Sequence, residues 1–71
     1  MTEQLSLLVE NSIEIAWDVL DRSGEIDDPA ETMRILIDVM IGLVANGERR
    51  RLMLINRAID RYRASRQTLA A

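Results

Sequence analysis

Apolar residues recur at spacings of three and four along the first third of the chain, which is the period of an α-helix. The pattern runs from Thr2 to about Arg22 and predicts a first helix. Its stripe consists of Leu5, Leu8, Val9, Ser12 with Ile13, Ala16, Val19 and Leu20. On a helical wheel, four acids fall within about 40° of each other on the opposite face. These acids are Glu3, Glu10, Glu14 and Asp21, so the outer face is predicted to be acidic.

Helix-ending and helix-starting residues follow this first segment. Ser23-Gly24 is predicted to end the first helix, because glycine tolerates the left-handed conformation of a C-terminal cap. The segment 28–31 then combines an Asp cap, a proline at the first helical position and a glutamate three residues after the cap. A second helix is therefore expected from Pro29 to about Asn46, where Asn46-Gly47 supplies both residue types that commonly close a helix.

The second helix is expected to be strongly apolar. Between Met33 and Leu43, only Arg34, Asp38 and Gly42 are not large apolar residues. These three share one narrow stripe, so roughly two thirds of the circumference is apolar. Arg34 and Asp38 are four residues apart and can pair, whereas Gly42 is either tolerated at an exposed site or marks close approach by another helix. Such a wide apolar surface exceeds what a three-helix monomer needs to bury.

A third helix is predicted from near Glu48 to about Thr68. Its apolar seam, which Arg66 interrupts, consists of Leu52, Ile55, Ile59, Tyr62 and Leu69. With short connections, neighbouring helices should be antiparallel. The fold class is therefore predicted to be all-α, a three-helix up-down-up bundle of one domain over residues 1–71. Helix 2 is expected to be central and strongly apolar, and dimerisation is expected to complete the bundle.

The size of the chain also favours self-association. A 71-residue domain buries only about 60% of the surface that its unfolded chain exposes. The sequence contains no cysteine and no histidine, so neither disulfides nor imidazole-bound metal can add stability. Oligomerisation remains, and we expect a homodimer with two-fold symmetry.

Membrane insertion and secretion are not expected. The longest apolar run, from Met33 to Ala45, is interrupted by Arg34 and Asp38 and is shorter than the roughly 20 residues of a membrane span. The first apolar stretch carries Glu10 and has no basic segment before it, unlike a signal peptide. A cytoplasmic location is therefore predicted.

The composition also argues against catalysis. The commonest general base and the best nucleophile, histidine and cysteine, are both missing. The four serines fall on helix faces or at a helix end, without an evident activating partner. A pair of catalytic carboxylates would need a cleft, for which the chain is small. We expect a non-enzymatic protein without a cofactor.

Charge is divided unevenly along the chain. Residues 1–48 contain eleven acids and two arginines, for a net charge of −9, whereas residues 49–71 contain seven arginines and one acid, for a net charge of +6. The run Arg49-Arg50-Arg51 is expected in the first turn of helix 3, where positive charge opposes the helix dipole and an external anion could compensate. Arg50, Arg57 and Arg61 fall within about 40° on the wheel, so they form a basic line that could follow a nucleic-acid backbone.

Pairing of these arginines with the acidic faces of helices 1 and 2, in the same chain or a partner subunit, is the favoured alternative. The whole chain has a pI near 4.8, whereas nucleic-acid-binding domains usually have a pI above about 9. Asp60, in the middle of the exposed face of helix 3, would also repel DNA.

Trp17 lies at the edge of the helix 1 stripe, between apolar and acidic residues. It is predicted to be either a partly buried margin of the core or an anchor of an interface, where Trp is enriched. Its position leads to the functional prediction, a small interaction module that binds a protein partner through Trp17 with the acidic face or the arginine line. The alternative is a nucleic-acid-binding regulator that uses Arg49, Arg50, Arg51, Arg57 and Arg61.

The segment 21–27 resembles the middle of an EF-hand calcium loop, where acidic or Ser ligands flank a glycine and an Ile follows two residues later. The resemblance covers about seven residues and implies calcium as a ligand. Aligning Gly24 with the loop glycine places Val19 and Ala30 where the family has its first Asp and its bidentate Glu. A helix C-cap followed by the next N-cap explains the same residues, so no metal site is predicted.

Overall fold

In a computed structural model of the protein, the described backbone runs over residues 3–70 and the described side chains over residues 5–67. Three α-helices form: α1 spans Glu3–Arg22, α2 spans Pro29–Ala45 and α3 spans Arg51–Ala70. The described backbone contains no strand, which confirms the all-α prediction. The predicted first helical residue Thr2 and the side chains of Glu3 and Leu69 lie outside the described residues.

The ends of α1 and α2 are closed by one backbone motif. Gly24 follows α1 with a φ of +72°, and Gly47 follows α2 with a φ of +99°. In both places the N–H of the next residue donates to the carbonyl five residues before it, at 2.9 Å. The glycine N–H donates to the carbonyl three residues before it, at 3.1 Å after α1 and 3.0 Å after α2. These bonds form the Schellman motif and confirm the predicted helix ends at both glycines.

The start of α2 also agrees with its sequence pattern. The Asp28 side chain accepts a hydrogen bond from the N–H of Glu31 at 3.2 Å, and Pro29 is the first helical residue. The Glu31 carboxylate turns to the Arg34 guanidinium, at 2.5 Å, and the predicted contact of Arg34 with Asp38 is present at 3.3 Å. The N-cap therefore fixes where α2 begins, and Glu31 supports its first turn.

The start of α3 differs from its prediction by three residues, since the helix begins at Arg51 and not near Glu48. Glu48 is occupied in closing α2, because its N–H donates to the carbonyl of Leu43. The first backbone bond of α3 runs from the N–H of Leu54 to the carbonyl of Arg50, at 3.1 Å. The connection therefore covers residues 46–50, and the closure of α2 after Gly47 uses Glu48, with which the predicted third helix began.

The core is formed by all three helices, and each helix packs against the other two. Among the described side chains, the buried apolar ones are Ala16, Leu20, Leu36, Met40, Leu54, Ile55, Ala58, Ile59 and Tyr62. Five of these nine belong to α3 and two belong to α2. The expectation that α2 is the central helix is therefore not supported, whereas the short connections and mutual packing are consistent with the predicted bundle.

Much of the apolar surface of α2 stays accessible to water. Leu36 and Met40 are buried, but Ile41 is 54% exposed. The remaining large apolar side chains of α2 are only half-buried, and they are Met33, Ile35, Ile37, Val39, Leu43 and Val44. One chain thus buries one stripe of a helix that is apolar over most of its circumference. Within the described residues, no helix combines the length and the apolar character that a membrane span requires.

Candidate functional site

The arginine run at the start of α3 is largely engaged inside the chain. The Glu48 carboxylate accepts hydrogen bonds from the backbone N–H groups of Arg49, at 3.1 Å, and Arg50, at 3.0 Å. It also accepts the Arg50 guanidinium, at 3.0 and 3.3 Å. These bonds, with that of the Arg50 side chain first, lower the pKa of Glu48 from 4.5 to about 2. The Glu48 carboxylate therefore lies at the arginine run, where the sequence also allowed an external anion.

Arg49 serves the end of α2. Its guanidinium donates to the carbonyls of Val44 and Glu48, at 2.9 Å each. A cation placed on the last carbonyls of a helix is favoured by the helix dipole, because those carbonyls lack partners within the helix. The predicted placement of Arg49 and Arg50 in the first turn of helix 3 is therefore wrong, and only Arg51 of the run lies inside α3.

The remaining three predicted arginines have no acidic partner among the described side chains. Arg51, Arg57 and Arg61 are exposed, and none of them forms an ion pair with the part of the chain that the structure describes. The Arg57 Nε contacts the sulfur of Met53 at 3.4 Å. The predicted line of Arg50, Arg57 and Arg61 is thus divided, since Arg50 pairs with Glu48 and the other two form no ion pair with a described residue.

Arg57 and Arg61 line an open groove between α2 and α3, with a volume of about 540 Å³. We call this feature the α2–α3 groove, and its lining residues are Asp38, Val39, Gly42 and Leu43 of α2 with Arg57, Asp60, Arg61 and Ala64 of α3. A neighbouring cavity extends it past Ile35 and Ser65 and shares Asp38, Val39 and Arg61 with it. The groove therefore has an apolar floor and carries two acids and two arginines on its walls.

Gly42 lies on the wall of this groove with open space around it. A side-chain carbon added at Gly42 would meet no atom within 4 Å. No other segment of the described chain approaches it, so packing within one chain does not explain a glycine inside α2. Of the two explanations that the sequence left open for Gly42, close approach by another helix is therefore not observed among the described residues of one chain.

The described acids of the predicted outer face of α1 are exposed as well. Glu10, Glu14 and Asp21 are exposed and form no ion pair with any described residue. Asp18 pairs with Arg22 at 3.1 Å, four residues along the same helix. Among the described side chains, the predicted pairing between this face and the arginines of α3 is therefore not formed.

Trp17 lies beside this acidic face, half-buried, and packs against the hydrophobic core. Its position agrees with the predicted core margin. Glu14 lies three residues before Trp17 and Asp21 four residues after it, so these acids are its neighbours on the surface of the helix. Trp17 and the acidic face together are the second candidate surface of the molecule.

Sequence reasoning missed a polar cluster that holds the first connection to α3. The Arg63 guanidinium donates to both oxygens of Glu25, at 3.0 and 2.9 Å. Arg66 pairs with Asp27 at 2.9 Å and donates to the backbone carbonyl of Glu25. Hydrogen bonds from Arg63 and then Ser23, together with the nearby arginine charges, lower the pKa of Glu25 from 4.5 to about 2. Both arginines and both acids of this region therefore have a partner of opposite charge.

Tyr62 is the centre of this cluster. Its side chain is 4% exposed, and its hydroxyl donates to the carbonyl of Glu25 at 2.7 Å. The hydroxyl also lies 3.1 Å from the Thr32 hydroxyl and 3.2 Å from the Arg66 guanidinium. We call Glu25, Thr32, Tyr62, Arg63 and Arg66 the Tyr62 cluster. The interruption of the apolar seam at Arg66 is explained by these contacts, because its guanidinium binds the cluster.

The segment that resembles an EF-hand loop has these same structural roles. Gly24 ends α1, Asp28 caps α2, and the carboxylates of Glu25 and Asp27 face arginines. Among the described residues, no group of three or more acids is arranged to hold a metal ion.

Comparisons with known proteins add no assignment to these surfaces. No protein-family model matches the sequence, and neither the curated proteins nor the solved structures include a match.

Proposed function

We propose that the chain is a small non-enzymatic interaction module, an adaptor or regulator, which forms a homodimer and binds a protein partner in the cytoplasm. The observation that carries the proposal is the surplus apolar surface of α2, where a 17-residue helix buries only Leu36 and Met40 among its large apolar side chains. Removing apolar surface from water is the main favourable term in protein association. A second subunit would cover what one chain leaves exposed.

The surface for a partner is proposed to be Trp17 with the acidic face of α1. Glu10, Glu14 and Asp21 have no cation in the described chain, so they are available to a basic partner. A half-buried Trp next to free charges provides a rigid apolar contact with an electrostatic border. Because this surface lies on α1, it can be occupied while a second subunit covers the groove between α2 and α3.

The non-enzymatic part of the proposal is supported by the surroundings of two of the four serines. The Ser12 hydroxyl is buried and has no hydrogen-bond partner in the described structure, so neither solvent nor a base reaches it. The Ser23 hydroxyl donates to the Glu25 carboxylate at 2.6 Å, but that carboxylate is held by Arg63. A base with a pKa of about 2 would accept a proton from serine poorly near neutral pH.

The test is the absolute mass of the protein from light scattering on a sizing column, at low and at high salt. We expect a mass near twice 8.1 kDa at both salt concentrations, because burial of apolar surface does not depend on charge. A mass of one chain at both salt concentrations would contradict the dimer.

Nucleic-acid binding is the second candidate, and the free guanidinium groups of Arg51, Arg57 and Arg61 favour it. Asp38 and Asp60 share the groove with two of these arginines and weaken its attraction for a polyanion. Retention on heparin at low salt, lost steeply as salt rises, would support this candidate. Elution in the flow-through of the heparin column at low salt would exclude nucleic-acid binding.

A further inference from the structure

The two walls of the α2–α3 groove carry charges of opposite sign at the same height. Asp38 on α2 and Arg61 on α3 border both cavities of the groove. The two helices run in opposite directions, since Thr32 near the start of α2 contacts Tyr62 in the second half of α3. One wall therefore presents an acid where the other presents a base, with the apolar side chains of Val39 and Leu43 between them.

We propose that this groove is the interface with a second copy of the chain, in which α2 of each copy stacks on α3 of the other about a two-fold axis parallel to the helices. The inference rests on the proposed homodimer and names its surface. Rotation by half a turn about such an axis exchanges the two walls and preserves height along them. It therefore places Asp38 of each copy opposite Arg61 of the other, as two equivalent ion pairs.

A second copy suits the groove better than other occupants because the groove is complementary to itself. A polyanion would meet Asp38 and Asp60, and a strongly basic peptide would meet Arg57 and Arg61. An occupant that carries both signs can offer a base to Asp38 and an acid to Arg61, and a second copy does so in the arrangement proposed above. The half-buried Val39 and Leu43 would be withdrawn from water in the same step.

Gly42 is a second observation that supports this interface. In a dimer of this kind, the wall formed by α2 faces α3 of the other copy, and a residue without a side chain lets the two backbones approach. The single chain offers no neighbour within 4 Å that would require glycine there. The helix-destabilising glycine is then explained by the second subunit.

The experiment uses two charge reversals in the full chain, Asp38→Arg and Arg61→Asp. Each creates two like-charge contacts in the proposed dimer, so each is expected to raise the dimer Kd by roughly tenfold or more. The double variant restores opposite charges and should recover the wild-type Kd. A mixture of the two single variants should form a heterodimer, because each variant supplies the charge that the other lacks. Masses and Kd values are measured by light scattering and sedimentation.

The matched control is Asp18→Arg. Like Asp38, Asp18 is an exposed acid paired with an arginine four residues away in its own helix, but it lies on α1, outside the groove. The control removes the same local ion pair and adds the same charge, and its Kd should equal that of the wild type. Circular dichroism establishes that each variant is helical before its mass is compared.

The outcomes separate the inference from the proposed function. A monomeric wild type would overturn both. A dimeric wild type with Asp38→Arg and Arg61→Asp as dimeric as Asp18→Arg would overturn this interface and leave the homodimer standing on another surface. Dissociation by both single variants without heterodimer formation in the mixture would also overturn the proposed pairing of Asp38 with Arg61.

Discussion

Arg63 and Arg66, in the second half of α3, differ from Arg57 and Arg61 in what their guanidinium groups contact. The first two bind the connection before α2 through a carboxylate and a backbone carbonyl. The other two line the α2–α3 groove without an acidic partner in the described chain. The same residue type on one helix therefore holds the fold at one end and remains available for a second molecule along its middle.

The difference follows from where the acids of the first connection fall. Glu25 and Asp27 lie beside the second half of α3 because the Schellman turn at Gly24 directs the chain there. Arg57 and Arg61 form no ion pair with a described acid of either connection. Substitutions in the Tyr62 cluster should thus change folding stability, whereas substitutions in the groove should change association. Unfolding is compared at a protein concentration at which every variant is monomeric.

The largest effect is expected for Tyr62→Phe. Loss of the buried hydroxyl removes the donor to the Glu25 carbonyl and leaves the Thr32 hydroxyl with one neighbour fewer. The free energy of unfolding should fall by about 1–3 kcal/mol, measured by urea denaturation. Arg61→Met is the control on the same helix and should stay within about 0.5 kcal/mol of the wild type. An unchanged Tyr62→Phe variant would show that the cluster does not stabilise the fold.

The next effect concerns Gly42→Ala and has opposite signs for the two properties. Alanine should stabilise the isolated chain by about 0.5–1 kcal/mol, because it favours helix and has open space around it. The same methyl group should raise the dimer Kd, since it separates the stacked backbones. Asn11→Ala, at an exposed site on α1, should stabilise the helix without changing the Kd. If Gly42→Ala strengthens association, the proposed close approach is wrong.

The next comparison is between Arg63→Met and Arg61→Met, two substitutions of the same residue type on one helix, and the expected change in the free energy of unfolding is smaller. Arg63 makes a two-pronged ion pair with Glu25, but the Arg63 side chain is 46% exposed, so solvent screens the pair. We expect Arg63→Met to lower the free energy of unfolding by less than Tyr62→Phe does, and Arg61→Met to leave it unchanged. A double-mutant cycle with Glu25→Gln measures the pair directly. Equal effects of the two arginine substitutions would remove the contrast between the halves of α3.

The smallest effect is expected in acid. The pKa of Glu25 is about 2 in the folded chain against an ordinary 4.5, so its stabilisation is complete above pH 4.5 and is lost as pH falls towards 2. Glu25→Gln should therefore flatten the loss of stability between those two pH values, measured by urea denaturation at each pH. Glu14→Gln, which removes an unpaired acid, serves as the control. Identical acid profiles for the two variants would contradict the pairing of Glu25.

Helix positions could be predicted from the sequence wherever a local signal sets them. The Asp28 side chain caps the first turn of α2, and Pro29 and the two glycines act through their own backbone, so the effect of all four is local and can be read without tertiary information. The start of α3 could not be placed in this way. Its apolar seam begins only at Leu52 and so does not mark the boundary, while Glu48, the predicted start, takes part in the Schellman closure of α2.

Candidate surfaces were harder to predict than helix positions because they depend on which side chains meet in space. The wheel placed Arg57 and Arg61 together correctly, since both lie on one helix. It did not reveal that Arg63 and Arg66 would find Glu25 and Asp27, about forty positions earlier in the chain. Nor did it show that Asp38, on another helix, would stand across the groove from Arg61.

Glu48 has one more consequence for the start of α3. Its carboxylate is tethered next to the N–H groups of Arg49 and Arg50, so it acts as a built-in competitor with an effective concentration in the millimolar range or above. Free phosphate would have to displace it before reaching those donors. The chain thus supplies its own competing anion at the position where the arginine run would attract one. Arginines without such a neighbour, Arg57 and Arg61 among them, can bind a group of a second molecule without this competition.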